Sequence, residues 1–110
     1  MKLPNGQLAR IDVRKLLNYA LSTEHDDGRH KAKLFRKLLD IDTESSELLM
    51  LALRDAAAHA DATLGRKDQY GQRYHINFEF KGCRGRAIIR SAWIVRSGET
   101  LPDLITCYIL

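Results

Sequence analysis

The sequence predicts a single α+β domain over residues 1–110. We expect about three N-terminal helices, packed on one face of a C-terminal, mostly antiparallel sheet of three to four strands. Two observations predict this class. Apolar residues recur at helical spacing through about residues 12–60, and the spacing changes to the alternation typical of strands in about residues 72–109. The length and the 45 % content of hydrophobic residues are typical of one globular domain.

The helical part is divided by its capping residues and one polar loop. Asp12 is a favourable N-cap for a helix that runs to about Ser22. The polar segment 23–28 predicts a loop, and a second helix follows at about 29–39. Asp42 or Thr43 caps a third helix, which we expect to end near residue 60.

The sheet part begins where the hydrophobic period changes. Apolar and polar residues alternate in Tyr74–Phe80, which predicts a half-buried strand. The two glycines in 81–85 predict a hairpin connection to a longer apolar strand at 87–95, and 104–109 predicts the last strand. Because consecutive strands with short connections pair side by side, we expect an antiparallel sheet with helices on one face.

The net charge of +4 lies in the sheet part. Residues 1–61 contain ten Lys and Arg and ten Asp and Glu, whereas residues 62–110 contain eight and four. A basic sheet beside a neutral helical layer is typical of a protein that binds a polyanion. A solvated face that keeps the protein soluble explains the same charge, and both interpretations stay open.

Several classes of chemistry have no signature here. Cys83 and Cys107 are too few for a disulfide framework, which indicates a reducing compartment or a fold indifferent to redox state. The cysteines and histidines show no zinc-type spacing, and no P-loop, GxGxxG or GxSxG motif occurs. We therefore expect no metal and no cofactor. Residues 1–10 do not resemble a signal peptide, so a stand-alone chain is expected in the cytoplasm.

Lys31 interrupts the pattern of the second expected helix. On a helical wheel it falls at the centre of the apolar arc, one turn before Phe35. Either its side chain reaches water past the helix N-terminus, or its ammonium group points into a site. His25, in the preceding loop, is placed where a titrating acid or base could act, although loop histidines are most often surface residues.

A second candidate group follows from the strand pattern. If Ile89, Ser91 and Trp93 face the helices, then Arg90 lies on the opposite face of the sheet. The same alternation, with Ile105, Cys107 and Ile109 on the core face, places Leu104, Thr106 and Tyr108 on the face of Arg90, together with His75. The alternative is the ordinary polar outer face of an antiparallel sheet.

Short motifs along nearly the whole chain resemble a bacterial toxin-associated domain family with the pattern H-P-x-G-x-x-K-A-x-x-F, then G-x-x-Y, R-[ST]-x-W and L-x-T-x-Y. The matching segments begin at His25, Gly71, Arg90 and Leu104. Asp26 stands where the family usually has proline. The family resembles the barnase–EndoU–colicin–RelE-like (BECR) group, in which N-terminal helices precede a four-stranded antiparallel sheet.

The resemblance implies a metal-independent endoribonuclease of the bacterial toxin type, which cleaves RNA, with tRNA as one candidate, by attack of the 2′-hydroxyl. It also implies an acidic immunity or antitoxin protein as partner, and delivery to a target-cell cytoplasm if the domain ends a secreted toxin. The alternative is a non-catalytic module of the same fold that binds nucleic acid or protein. The expected catalytic residues are His25, Lys31, Arg90, Ser91 and Thr106, and the expected RNA-binding residues are Arg29, His75, Arg84, Arg86 and Tyr108.

Substitution of Lys31 separates a structural from a functional role. For a functional Lys31, Lys31→Leu keeps or raises the thermal stability, by up to about 1–2 kcal/mol of apolar burial, and abolishes RNA cleavage. Melting curves and cleavage assays on the same variant check this expectation. A variant that melts earlier, and loses activity only in proportion to unfolded protein, would show that Lys31 is structural.

Overall fold

The computed structural model describes residues 1–12, 46–81 and 85–110. After a 3₁₀ turn at Gly6–Leu8 come helix α1 (Ser46–His59) and strands β1 (Thr63–Asp68), β2 (Gly71–Lys81), β3 (Arg86–Arg96) and β4 (Asp103–Ile109). The strands form one antiparallel sheet in the order β1-β2-β3-β4. Within these residues no helix is long and apolar enough to cross a membrane.

The expected architecture of about three helices packed on a sheet is wrong. The described residues contain one α-helix, α1, and the four-stranded sheet makes up most of their regular structure. The helix expected at about 29–39 and all but the first residue of the one expected at 12–22 lie outside the described residues. The third expected helix corresponds to α1.

Strand β1 was not expected, because the sheet was predicted to begin near residue 72. The side chains of Thr63–Lys67 are exposed on both faces, so the segment lacks the alternation of a half-buried strand. Its strand conformation follows from pairing with β2, where Thr63 lies opposite His75 and Asp68 opposite Gly71. An exposed edge strand of this kind is defined by its neighbour rather than by its own hydrophobic pattern.

The core lies between α1 and one face of the sheet. On α1 the buried residues recur at helical spacing and form one stripe, Leu49, Leu53, Ala56 and Ala57. Alternate residues of the strands complete the same cluster, including Tyr74, Ile76, Ile89, Trp93 and Cys107, and the N-terminal segment adds Leu3, Ala9 and Ile11. We call this the core face of the sheet and the other the open face.

Ser91 is the buried polar side chain of the described core. It is 0 % exposed and lies opposite Ile76 in the β2–β3 register. Its hydroxyl donates to the carbonyl oxygen of Ile76 at 3.1 Å and accepts from Trp93 Nε1 at 2.9 Å. The hydroxyl therefore satisfies the buried indole N–H and ties β3 to β2.

Two glycines allow close approaches of the backbone. Gly71 has φ 146°, and a Cβ there would lie 2.2 Å from the carbonyl oxygen of Val95. A Cβ at Gly6 would lie 1.8 Å from the carbonyl oxygen of Ala57, where the N-terminal turn packs on α1. A larger residue at either position would push apart the elements that meet there.

The β1–β2 hairpin is closed by the carboxylate of Asp68. Arg73 donates to Asp68 Oδ2 at 2.5 Å, the Tyr70 amide donates to Oδ1 at 2.9 Å, and Arg66 Nε lies 3.1 Å from Oδ2. The hydrogen bond from Arg73, helped by that of the Tyr70 amide, lowers the pKa of Asp68 below its ordinary value of 3.8. The carboxylate consequently stabilises the hairpin only while it is ionised.

Removal of the Ser91 hydroxyl is expected to destabilise the fold. In Ser91→Ala, the buried Trp93 N–H loses its acceptor, which costs about 1–3 kcal/mol of unfolding free energy. Ser97→Ala is the matched control, because the exposed Ser97 hydroxyl donates to the Gln69 carbonyl oxygen at 2.9 Å and water can replace it. Denaturant titration measures both variants, and equal stability of the two would contradict this role.

The stabilisation by Asp68 is expected to disappear in acid. Because the folded-state pKa is lowered, the contribution is complete above the unfolded value of 3.8 and is lost as the pH falls through the folded pKa. The melting temperature of Asp68→Asn should therefore lie below that of the wild type near neutral pH and approach it in acid. Asp55→Asn, on the exposed side of α1, serves as control. If the difference in melting temperature between the wild type and Asp68→Asn stays constant into strong acid, ionised Asp68 does not stabilise the fold in this way.

Candidate functional site

The strand register places two rows of side chains side by side on the open face. Residues directly opposite one another on β2, β3 and β4 share a face, and alternate residues along each strand do the same. The first row is His75, Ala92 and Thr106, and the second row is Asn77, Arg90 and Tyr108. Neighbouring strands lie about 4.8 Å apart and same-face residues about 6.7 Å apart, so the six residues form one compact patch, about 10 Å by 7 Å between its outermost Cα positions.

Arg90 carries the unbalanced charge of this patch. Its side chain is half-buried, and its Nε donates to Asn77 Oδ1 at 2.9 Å. The other arginines on the described strands each have a carboxylate partner: Arg66 and Arg73 contact Asp68 at 3.1 and 2.5 Å, Arg86 lies 3.6 Å from Glu79, and Arg96 contacts Asp103. A half-buried cation held by a neutral amide is suited to an incoming anion.

Thr106 adds an unsatisfied hydroxyl beside this cation. Its Oγ1 is inaccessible to solvent and has no hydrogen-bond partner in the part of the chain that the structure describes. A buried hydroxyl without a partner is uncommon and requires an explanation. Thr106 lies opposite Ala92, which separates it from the half-buried His75 by a single methyl side chain. The register thus places an imidazole, a hydroxyl and the Arg90 guanidinium around the small Ala92 side chain.

At the other end of the open face, the arginines are paired with carboxylates. Arg10 Nε donates to Asp103 Oδ1 at 2.6 Å, one terminal nitrogen donates to Asp103 Oδ2 at 2.9 Å and Glu99 Oε1 at 2.5 Å, and Arg96 contacts the same Asp103. The hydrogen bonds to Asp103 and Glu99 raise the pKa of Arg10 further above its already high value. Backbone hydrogen bonds from Arg10 to Pro102 and from Leu104 to Arg10 accompany this network. It fastens the N-terminal segment to β4 and leaves little charge for a ligand.

The structure brings together part of the predicted site. His75, Arg90, Thr106 and Tyr108 share the two rows described above, whereas Ser91 lies on the core face with both of its hydrogen bonds internal. The exposed Arg86 lies further along β3 and faces Glu79. The predictions for His25, Arg29, Lys31 and Arg84 fall outside the described residues.

Asn77 was not among the predicted site residues. Its alternation with His75 indicates its face, but an asparagine on a polar face is an unspecific signal. The pairing with Arg90 becomes visible only with the register of β2 against β3.

In residues 1–12, 46–81 and 85–110, no three His, Cys, Asp or Glu side chains lie close enough together to hold a metal ion. The chemistry that these residues offer at the two rows is anion binding by Arg90, hydrogen bonding by Thr106 and Tyr108, and proton exchange by the His75 imidazole.

The fold is similar to that of a solved structure described as a "Contact-dependent growth inhibition toxin - immunity protein complex from Klebsiella pneumoniae 342". One chain of that complex superposes with a TM-score of 0.70 at 19% sequence identity, over 91% of this chain and 98% of that chain. At this identity the similarity concerns the fold alone. No curated protein matches the sequence.

A family model described as "Domain of unknown function (DUF6883)" matches residues 2–110. Since the match spans nearly the whole sequence, the chain belongs to the DUF6883 family.

Proposed function

We propose that this domain is a toxin-type, metal-independent endoribonuclease of the BECR group, with its phosphate site on the open face of the sheet. The observation that carries the proposal is the half-buried Arg90, which has a neutral amide as its partner beside the unsatisfied Thr106 hydroxyl. The similarity to a chain of a toxin–immunity complex supports the toxin class. The four-stranded antiparallel sheet supports the fold group that the sequence motifs imply.

Cleavage of RNA without a metal requires three groups. A base removes the proton of the 2′-hydroxyl, whose oxygen then attacks phosphorus. The bond from phosphorus to the 5′-oxygen breaks, an acid protonates that oxygen, and a 2′,3′-cyclic phosphate and a 5′-hydroxyl result. A cation stabilises the charge on the non-bridging oxygens in the transition state.

The two rows supply several of these groups. Arg90 is the cation. The Thr106 hydroxyl is inaccessible to solvent in this structure, so it can donate to a non-bridging oxygen only after the side chains around it move. His75 is an imidazole within about 10 Å of Thr106 across two strand spacings and serves as an acid or a base. His25 and Lys31 remain the predicted second proton-transfer group and second cation.

An immunity protein is the proposed partner. A toxin that cleaves cellular RNA must be blocked in the cell that makes it, and the solved complex with the similar fold contains an immunity protein. The chain has a net charge of +4, with its excess of Lys and Arg in the sheet half. An acidic inhibitor that covers the open face complements this charge.

Arg90→Gln is expected to lower the rate of RNA cleavage by about 100- to 1,000-fold, since the transition state loses its cation. The assay incubates purified protein with total tRNA in excess EDTA. Arg54→Gln, which removes the same charge from an exposed position on α1, should cleave like the wild type. Both variants should melt close to the wild type, because Arg90 forms no ion pair with a described residue.

Three outcomes would contradict the proposal. Intact tRNA with the wild-type protein, together with no growth defect on induction without an inhibitor, would exclude the catalytic function. A chain that binds RNA without cleaving it would be the non-catalytic binding module instead. Equal cleavage by Arg90→Gln and Arg54→Gln would place the site elsewhere.

A further inference from the structure

The Asn77 side chain accepts a hydrogen bond from the Nε nitrogen of Arg90. Asn77 and Arg90 lie directly opposite each other on β2 and β3, and Asn77 Oδ1 accepts the hydrogen bond from Arg90 Nε at 2.9 Å. A guanidinium has five N–H donors, four of them on its two terminal nitrogens. Those terminal nitrogens have no acceptor among the residues that the structure describes. Within the described residues, the guanidinium is therefore oriented at one nitrogen and has no acceptor at the other two.

Another contact on the same face shows how a carboxylate binds an arginine. Asp103 accepts from Arg10 through both oxygens, at 2.6 Å from Nε and 2.9 Å from a terminal nitrogen. This paired arrangement occupies one edge of the guanidinium and balances its charge. An aspartate at position 77 would have the shape of asparagine and could bind Arg90 in the same way. Among the described residues, the amide at this position leaves the charge of Arg90 unbalanced and its terminal donors without an acceptor.

We propose that Asn77 is a positioning residue, which aims Arg90 at a phosphodiester of RNA without neutralising it. The inference rests on the proposed function and extends it to a residue outside the predicted site. Because the Asn77 side chain is exposed and its hydrogen bond within the described part of the chain goes to Arg90, the fold itself does not require an amide there. The requirement arises only when an anion has to bind.

The test compares Asn77→Asp with Gln69→Glu. Both substitutions convert an amide to a carboxylate and remove one unit of positive net charge. Gln69 is exposed in the β1–β2 turn, about 20 Å along the sheet from position 77. The probe is a fluorescein-labelled 2′-O-methyl RNA oligonucleotide, which cannot be cleaved, and its binding is measured by anisotropy over a range of salt concentrations.

We expect Asn77→Asp to bind the oligonucleotide at least about tenfold more weakly than Gln69→Glu and to lose about one unit of the salt slope, as expected for one phosphate contact. Asn77→Ala should keep the slope, because the charge of Arg90 remains, with a smaller loss of affinity. All three variants should melt near the wild type, so a merely structural role would not produce this pattern.

The outcomes separate this inference from the proposed function. If Arg90→Gln weakens binding and lowers the slope but Asn77→Asp does neither, Arg90 binds RNA without the help of Asn77, and this inference is wrong while the proposed function stands. If the wild-type protein does not bind the oligonucleotide, or Arg90→Gln binds it equally well, both fail.

Discussion

The position of β3 between β2 and β4 is the constraint on which the described structure depends. Each β3 residue from Ile89 to Ile94 has a defined partner on both sides, apart from one irregularity after Ala92. A slip by one residue would send Ser91 and Trp93 to solvent and Arg90 into the core. The Ser91 hydroxyl and the fully buried Trp93 oppose such a slip from the core face. The placement of Arg90 on the open face is thus a consequence of packing on the other face.

The open face divides into two ends with different physical roles. At one end, Asp68 and Asp103 accept from three arginines, and these contacts close the β1–β2 hairpin and fasten the N-terminal segment. At the other end, Arg90 has an amide partner, and the Thr106 hydroxyl has no partner among the described residues. Groups that a fold leaves incompletely satisfied are where function is expected, since stability alone would select different residues. This contrast along one face favours a ligand site at the Arg90 end.

The sequence pattern predicted the faces of β2 and β3 well, because their alternation shows the buried face. In β4 it was right for Cys107 but wrong for Leu104, which was expected on the open face and is buried in the core, since the register shifts between Ala92 and Trp93. It placed Arg90 on the face of the sheet that Trp93 does not occupy and grouped it with Thr106, as the register does. It failed for β1, whose exposed side chains carry no alternation. The expectation of about three helices was wrong for the described residues, which contain one, and the other two expected helices fall almost entirely outside them.

Two site residues show a further limit of the sequence. Ser91 was predicted to be catalytic from its residue type and motif, but the hydroxyl satisfies a buried indole and a backbone carbonyl. Asn77 was not predicted, because its importance comes from a partner 13 positions away that only strand register brings near. Residue chemistry alone does not separate a polar group that completes the core from one that serves a site.

The central claim, that the rows around Arg90 bind an RNA phosphate, is tested most directly by NMR. A 2′-O-methyl dinucleotide is titrated into ¹⁵N-labelled protein, and the backbone amide and arginine Nε signals are followed. The account predicts that the largest shifts occur at Arg90 Nε and at the amides of Ala92, Thr106 and Tyr108, with small shifts at Asp68 and Gly71. Largest shifts on α1 or along β1, or no shifts at all, would contradict it.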